Sequence, residues 1–332
     1  MRRRLVIVLL ATGALGALAP VAGADTTTST TSPTTTTTLR PVHTAPLTGR
    51  PDPTSLTARR PAVTVKIDNT YEAHPQYGIR QADVVYEEIV EGGITRLAAV
   101  FNSSAPARVG PVRSVRRTDR EVVYPLGGIF VFSGGAQYAL SSIATAPVRL
   151  FSESNSGSMM YRDWRRPPPH NLFANVSRLI RQSARPRPPR ALFTYSSSPP
   201  RAATRVRSFT VGFANGYATS YAWNPKTASW DRSIFGRLDR DASGRRVSPA
   251  NVIVMYVHYL GGVGALGAEA QLTGSGVAQV FTRHVMVTGR WTRGSLARPI
   301  RYLTRSGTVV ALSPGQTWVE LLDVSEHVAV VR

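Results

Sequence analysis

The chain has 332 residues and no cysteine, and its 40 Lys and Arg against 19 Asp and Glu give a net charge of +21. Without cysteine there are no disulfides, thiolate metal sites, cysteine nucleophile or lipid-modified cysteine in these residues, so stability has to come from packing. Lys66 and Lys226 are the only lysines, and the arginines are scattered along the chain. A dedicated nucleic-acid module would gather them on one element among aromatics. The charge points instead to anionic envelope polymers or lipid head groups, attracted through the long-range field.

The chain opens with Arg2, Arg3 and Arg4, an apolar run from Leu5 to Ala19 and the small-x-small site Ala22-Gly23-Ala24, the order of a secretory signal over residues 1–24. Residues 25–45 are dominated by threonine, which has little to bury, and read as a disordered spacer. The folded part starts near Pro46 and leaves about 290 residues, enough for one large domain or two ordinary ones.

Ala62–Ile67 reads as a strand that ends in the turn-forming Asp68-Asn69. Asp83–Glu91 reads as a second strand, joined through a two-residue Gly92-Gly93 loop to a third, Ile94–Phe101. Ile129–Phe132 is a further strand running into Ser133-Gly134-Gly135 and a helix over Ala136–Ala144. Prolines crowd Arg185–Arg201, which sets an N-terminal domain (46–185), a linker (186–206) and a C-terminal domain (207–332). Beyond it, Asn251–Leu260, Gly276–Thr288 and Thr317–Val331 read as strands. The fold class is α+β, with a mixed sheet and helices in the N-terminal half and a mostly β C-terminal half.

Several segments taken in order resemble one family: PLTG at 46–49, KIDN at 66–69, QADVVYE and VEGGITR within 81–96, GPVRS at 110–114, YRD at 161–163, PHN at 169–171 and PGQTW at 314–318. They are similar to the YerB-like lipoproteins of Gram-positive bacteria, the domain of unknown function 3048 family. The resemblance implies an extracytoplasmic, two-part α+β protein and supplies no catalytic residues. This chain departs from it in having no cysteine at the signal cleavage site. It is therefore expected to be secreted and not lipid-anchored, with the Thr-rich spacer in the anchor's place.

Three of the nineteen acidic residues lie within Glu87–Glu91. Strand alternation puts Glu87, Ile89 and Glu91 on one face and Tyr86, Glu88 and Val90 on the other. A two-glycine loop would set Glu91 opposite Ile94, Ile89 opposite Arg96 and Glu87 opposite Ala98, with Arg96 diagonally between two glutamates. Glu87 and Glu91, with Asp68, could form an acid and base pair or a divalent-cation site. A cross-strand salt-bridge network built from the same residues is the preferred reading.

From Arg113 onward a helix would align Arg113, Arg116, Arg117 and Arg120 in one stripe, suited to a phosphate or carboxylate or to pairing with the glutamates. Ser133-Gly134-Gly135 could aim backbone amides at an anion, or be a plain tight turn. His170, between Pro167-Pro168-Pro169 and Asn171, could present an imidazole to a cleft. The remaining histidines have no metal-ligand spacing, and Ser114 and Ser133 lack a nucleophile-elbow context.

The leading reading is a non-enzymatic envelope protein that binds an anionic wall polymer or a protein partner, with no metal or cofactor. The ligand-binding candidates are Asp68, Asn69, Arg96, Arg113, Ser114, Arg116, Gly134, Gly135 and Asn171. The alternative is a wall glycan or peptide hydrolase or lyase, with Glu87, Glu91 and His170 as catalytic candidates. A third reading is an extracellular nucleic-acid binder.

Overall fold

Three apolar segments, β1 (Val63–Asp68), β2 (Val84–Ile89) and β3 (Thr95–Phe101), have every residue buried in the computed structural model. A strand buried on both faces reads as a continuous apolar run rather than an alternation. These three form the middle of a mixed, eleven-stranded sheet, with β3 between β1 and β2 and antiparallel to both. On one side, β4 (Ile129–Phe132) and β5 (Arg149–Ser152) continue parallel to β1. On the other, β2 runs parallel to Thr317–Asp323, which runs parallel to Asn251–Val257. Antiparallel strands Gly274–Thr282, Val285–Arg293 and Arg301–Thr304 finish that side. Residues from both sides of the Pro-rich segment thus share one sheet.

The structure describes residues 43–183, 187–200 and 203–332. The expected signal, nearly all of the Thr-rich spacer, and residues 184–186, 201 and 202 of the Pro-rich stretch lie outside them.

Each face of the sheet has a cover. On one, Phe130 and Phe132 of β4 pack with Val123 of α1 (Arg117–Val123) and with Ala139 and Ile143 of α2 (Gln137–Ile143). On the other lies a five-stranded sheet built from Ser208–Gly212, Ala218–Asn224, Ser229–Ile234, Arg237–Leu238 and His327–Val331. Its Phe209 stacks on Phe281 of the large sheet, ring centroids 3.6 Å apart, and Trp230 meets Phe281 edge-on at 5.9 Å. The molecule is mostly β, with a mixed sheet and few helices. The third α-helix, α3, is Val176–Arg181.

Four local expectations are corrected. The hairpin loop holds three residues, Glu91-Gly92-Gly93, closed by the Val90 N–H to Ile94 carbonyl bond, so pairing slips by one and Arg96 faces Glu88. Gly92 O and N–H are engaged by Asn215 and Gly264, tertiary contacts that hold the longer loop. Arg113 is not helical: its N–H bonds the Lys66 carbonyl and its carbonyl the Ser133 N–H, which keeps the segment extended until α1 starts at Arg117. Gly276–Thr288 is the turn and flanks of two paired strands, and Thr317–Val331 is two strands in different sheets.

Candidate functional site

β1, β2 and β4 run the same way, so their carboxyl ends, Asp68, Ile89 and Phe132, lie along one edge of the sheet. Ligands of open sheets with parallel strands gather at that edge. Here Val109–Arg116 threads in extended form, tied to β1 by Arg113 N–H and to the loop after β4 by the Val115 N–H to Gly134 carbonyl bond. That path carries Arg113, Ser114 and Arg116 to the ends of the strands.

Asp68 is fully buried at the end of β1. Its Oδ2 lies 2.8 Å from His170 Nδ1 and 3.0 Å from Arg113 Nε. Arg116 Nε donates to Glu91 Oε2 at 2.7 Å. Partial burial would raise the Glu91 carboxyl, but the backbone N–H and the Arg116 and Arg96 guanidinia outweigh it and hold it below its ordinary range.

Arg96 is the third guanidinium. It stands 6% exposed, and among the described residues it has no ion-pair partner. Its Nη1 donates to the Ser114 carbonyl at 3.3 Å, while its Nε, also buried, has no hydrogen-bond partner among the described residues. Burial, with Arg116 and Arg113 close by, pushes it down to about 10, against the pull of Asp68 and Glu91. Three guanidinia here meet the carboxylates of Asp68 and Glu91, while Glu88, opposite Arg96, and Asp119, which accepts the Arg116 N–H, are both paired with Lys66, so Arg96 is the cation left without an ion pair among the described residues. Ser114 Oγ and Ser133 Oγ are 3.3 Å apart beside it, and Gly134 leaves open space where a side chain would stand.

Asp68, Glu91, Arg96, Arg113, Ser114, Arg116, His170 and the Gly134-Gly135 loop therefore share one edge. Three named residues turn elsewhere. Asn171 Oδ1 accepts from Arg162 at 2.7 Å. Asn69 donates to Glu87 at 2.9 Å and to Thr95 at 2.7 Å. Glu87 lies on the opposite face from Glu88 and Arg96, where its Oε1 accepts from Asn69 and Thr95 and its Oε2 from Arg232 Nη2 at 2.7 Å. Glu87 and Glu91 are both engaged by guanidinia, and they do not face each other across a groove as a glycosidase's carboxylates do.

Two family models match the chain, "Protein of unknown function (DUF3048) N-terminal domain" over residues 47–188 and the corresponding C-terminal domain over residues 209–319. The chain belongs to the DUF3048 family. A relative from Bacillus subtilis (strain 168), named "Putative lipoprotein YerB", is 26% identical over 295 residues, 84% of this chain and 86% of the relative. The crystal structure of YerB matches with a TM-score of 0.75 at 24% identity, covering 86% of this chain and 99% of its own. It shows the fold. YerB is named a lipoprotein, whereas this family member contains no cysteine.

The DUF3048 fold also buries charges that sequence reasoning missed. Arg232, fully buried, bridges Glu87 and Asp239 and stacks 4.4 Å over Trp318. Burial alone would lower Arg232, but Glu87, Tyr221 and Asp239 raise it well above its ordinary value. Glu320 pairs in register with Glu87 and takes a hydrogen bond from Tyr221; burial and the Glu87 carboxylate push it well above the carboxylate range. On the other face Lys66 meets Glu88 and, at 2.8 Å, Asp119, all three buried. The available signal is a charge inside an otherwise apolar strand, as in VTVKID and TWVELLD.

Proposed function

We propose that this DUF3048 protein works in the cell envelope as a binding protein, and that it takes an anionic group, a phosphate or carboxylate of a wall polymer or of an envelope partner, at Arg96, Arg113 and Arg116. The observation that carries the reading is Arg96: a buried guanidinium that, among the described residues, has no ion-pair carboxylate and no hydrogen-bond partner for its Nε. A buried charge without a partner is costly, and a ligand oxyanion would supply the missing one. The Asp68–His170 pair and the hydroxyls of Ser114 and Ser133 add polar contacts at the same edge. Export is supported by the Arg2–Arg4, apolar-run and Ala22-Gly23-Ala24 order at the start of the chain and by the name of the YerB relative.

Retention on purified cell-wall sacculi tests the reading. The protein should be retained at low ionic strength and released by salt, and Arg113→Ala with Arg116→Ala should cut retention about tenfold or more. Unchanged retention in that variant would move the contact away from this edge.

A further inference from the structure

At the opposite edge of the sheet, where the parallel strands begin, lies a cleft of about 930 Å³. That is the upper end of the range for ligand sites and fits several repeats of a polymer better than one small molecule. Residues from both sides of the Pro-rich segment line it, among them Asp83 just before β2, Gln316 just before Thr317–Asp323 and Ala250 just before Asn251–Val257. It is separated from the Arg96 site by the length of a six-residue strand, about 20 Å.

Five guanidinia line the cleft, Arg50, Arg80, Arg240, Arg246 and Arg283, against two carboxylates, Asp83 and Asp231. Both carboxylates are committed. Asp83 is buried and accepts the Asn102 N–H at 2.6 Å, the Ser103 N–H at 2.8 Å and the Ser103 hydroxyl. Asp231 accepts Ser248 Oγ at 2.6 Å, Asn224 Nδ2 at 3.0 Å and Arg246. Arg80 donates to the Arg246 carbonyl at 2.8 Å and stands 4.0 Å from Asp241. Arg50, Arg240 and Arg283 have no ion-pair partner among the described residues. Among the described residues three guanidinia are thus without an ion pair here, against one at the Arg96 edge.

Arg283 adds a second argument. It occupies the turn between Gly274–Thr282 and Val285–Arg293 at φ +52°, a left-handed conformation that glycine or asparagine takes at less cost. Its guanidinium donates to the Ser196 carbonyl at 3.3 Å and to the Ser197 carbonyl, which fixes the side chain where it lines the cleft. Among the described residues no aromatic side chain lines the cleft, so they offer no stacking platform for bases. Its chemistry is that of guanidinium forks, hydroxyls and amides, which recognise oxyanions along a backbone.

We propose that this cleft is a second anion site, independent of the Arg96 edge, and that it holds a segment of a linear polymer bearing a phosphate or carboxylate on each repeat.

The test is fluorescence anisotropy of the full chain with three labelled probes: linear inorganic polyphosphate, an oligogalacturonate of similar length and an uncharged dextran. At least one polyanion binds and the dextran does not, and the stronger polyanion tells phosphate from carboxylate. Arg50→Gln and Arg240→Gln each weaken binding about three- to tenfold and lower the slope of log K against log salt by about 0.7–1, and the triple variant with Arg283→Gln loses these effects together. In an Arg113→Gln/Arg116→Gln background, which disables the Arg96 edge, a polyanion-binding event remains, and Arg50→Gln and Arg240→Gln still weaken it. Should the triple variant lose thermal stability, the exposed single substitutions at Arg50 and Arg240 decide. The proposal is overturned by binding of neither polyanion, by unchanged affinity and salt slope in the Arg50 and Arg240 variants, or by a loss confined to the Arg113/Arg116 variant.

Discussion

Arg232→Ala probes how the two ends of the chain are held together. Arg232 comes from the five-stranded sheet and Glu87 from β2, 145 residues apart, and the guanidinium also holds Asp239. Removing it strands both carboxylates beside Glu320 in the interior, because all four side chains are buried. Breaking a buried pair from one side costs about 3–5 kcal/mol. For an ordered region of this size, that is a fall in Tm of roughly 5–15 °C. Scanning calorimetry with urea unfolding measures it, and adding Glu87→Gln should recover part of the loss, since the two residues share one interaction. A loss below about 1 kcal/mol, or two separate transitions of which only one shifts, would mean that Arg232 does not hold the two sheets together.

Two further predictions concern the same sheet. Burial, only partly offset by Lys66, raises the Glu88 carboxyl to about 7. A carboxyl raised on folding contributes its full stability below its unfolded value of about 4.5 and loses it as pH climbs to about 7, here about 3 kcal/mol. Urea unfolding between pH 4.5 and 7.5 should show that decline relative to Glu88→Gln, and parallel curves for the two proteins would contradict it. Gly127 and Gly128 both have positive φ, but a Cβ on Gly127 meets nothing closer than 3.8 Å, whereas on Gly128 it would stand 2.2 Å from the Ala62 carbonyl. Gly127→Ala should cost about 1 kcal/mol and Gly128→Ala about 3 kcal/mol by chemical denaturation, with equal costs ruling out the backbone clash.

Much of the fold was legible wherever a strand is an apolar run. Ala62–Ile67, Ile94–Phe101 and Ile129–Phe132 fall within a residue or two of β1, β3 and β4, because burial and β-branched composition are local properties. Register was not. One residue in the Glu91-Gly92-Gly93 loop decides whether Arg96 faces Ile89 or Glu88, and distant Asn215 and Gly264 hold that loop. The density of charges around Asp68, Glu91, Arg113 and Arg116 could be read from the chain, but their pairing could not. Arg113 was expected on a helix, and only its bonds to Lys66 and Ser133 keep it extended beside Asp68. Arg232 and Glu320 were out of reach for a related reason: each is a buried charge inside a strand, and the partners that make such a charge tolerable lie up to 145 residues away.

The unpaired guanidinium of Arg96 should take up an oxyanion at this edge. Isothermal titration of the protein with inorganic pyrophosphate at low salt tests it most directly, with wild type, Arg113→Gln/Arg116→Gln and Arg50→Gln/Arg240→Gln compared side by side. The Arg113/Arg116 variant should lose one binding event, weakened about tenfold or more, which the Arg50/Arg240 variant retains. A binding isotherm unchanged by Arg113→Gln/Arg116→Gln would contradict it.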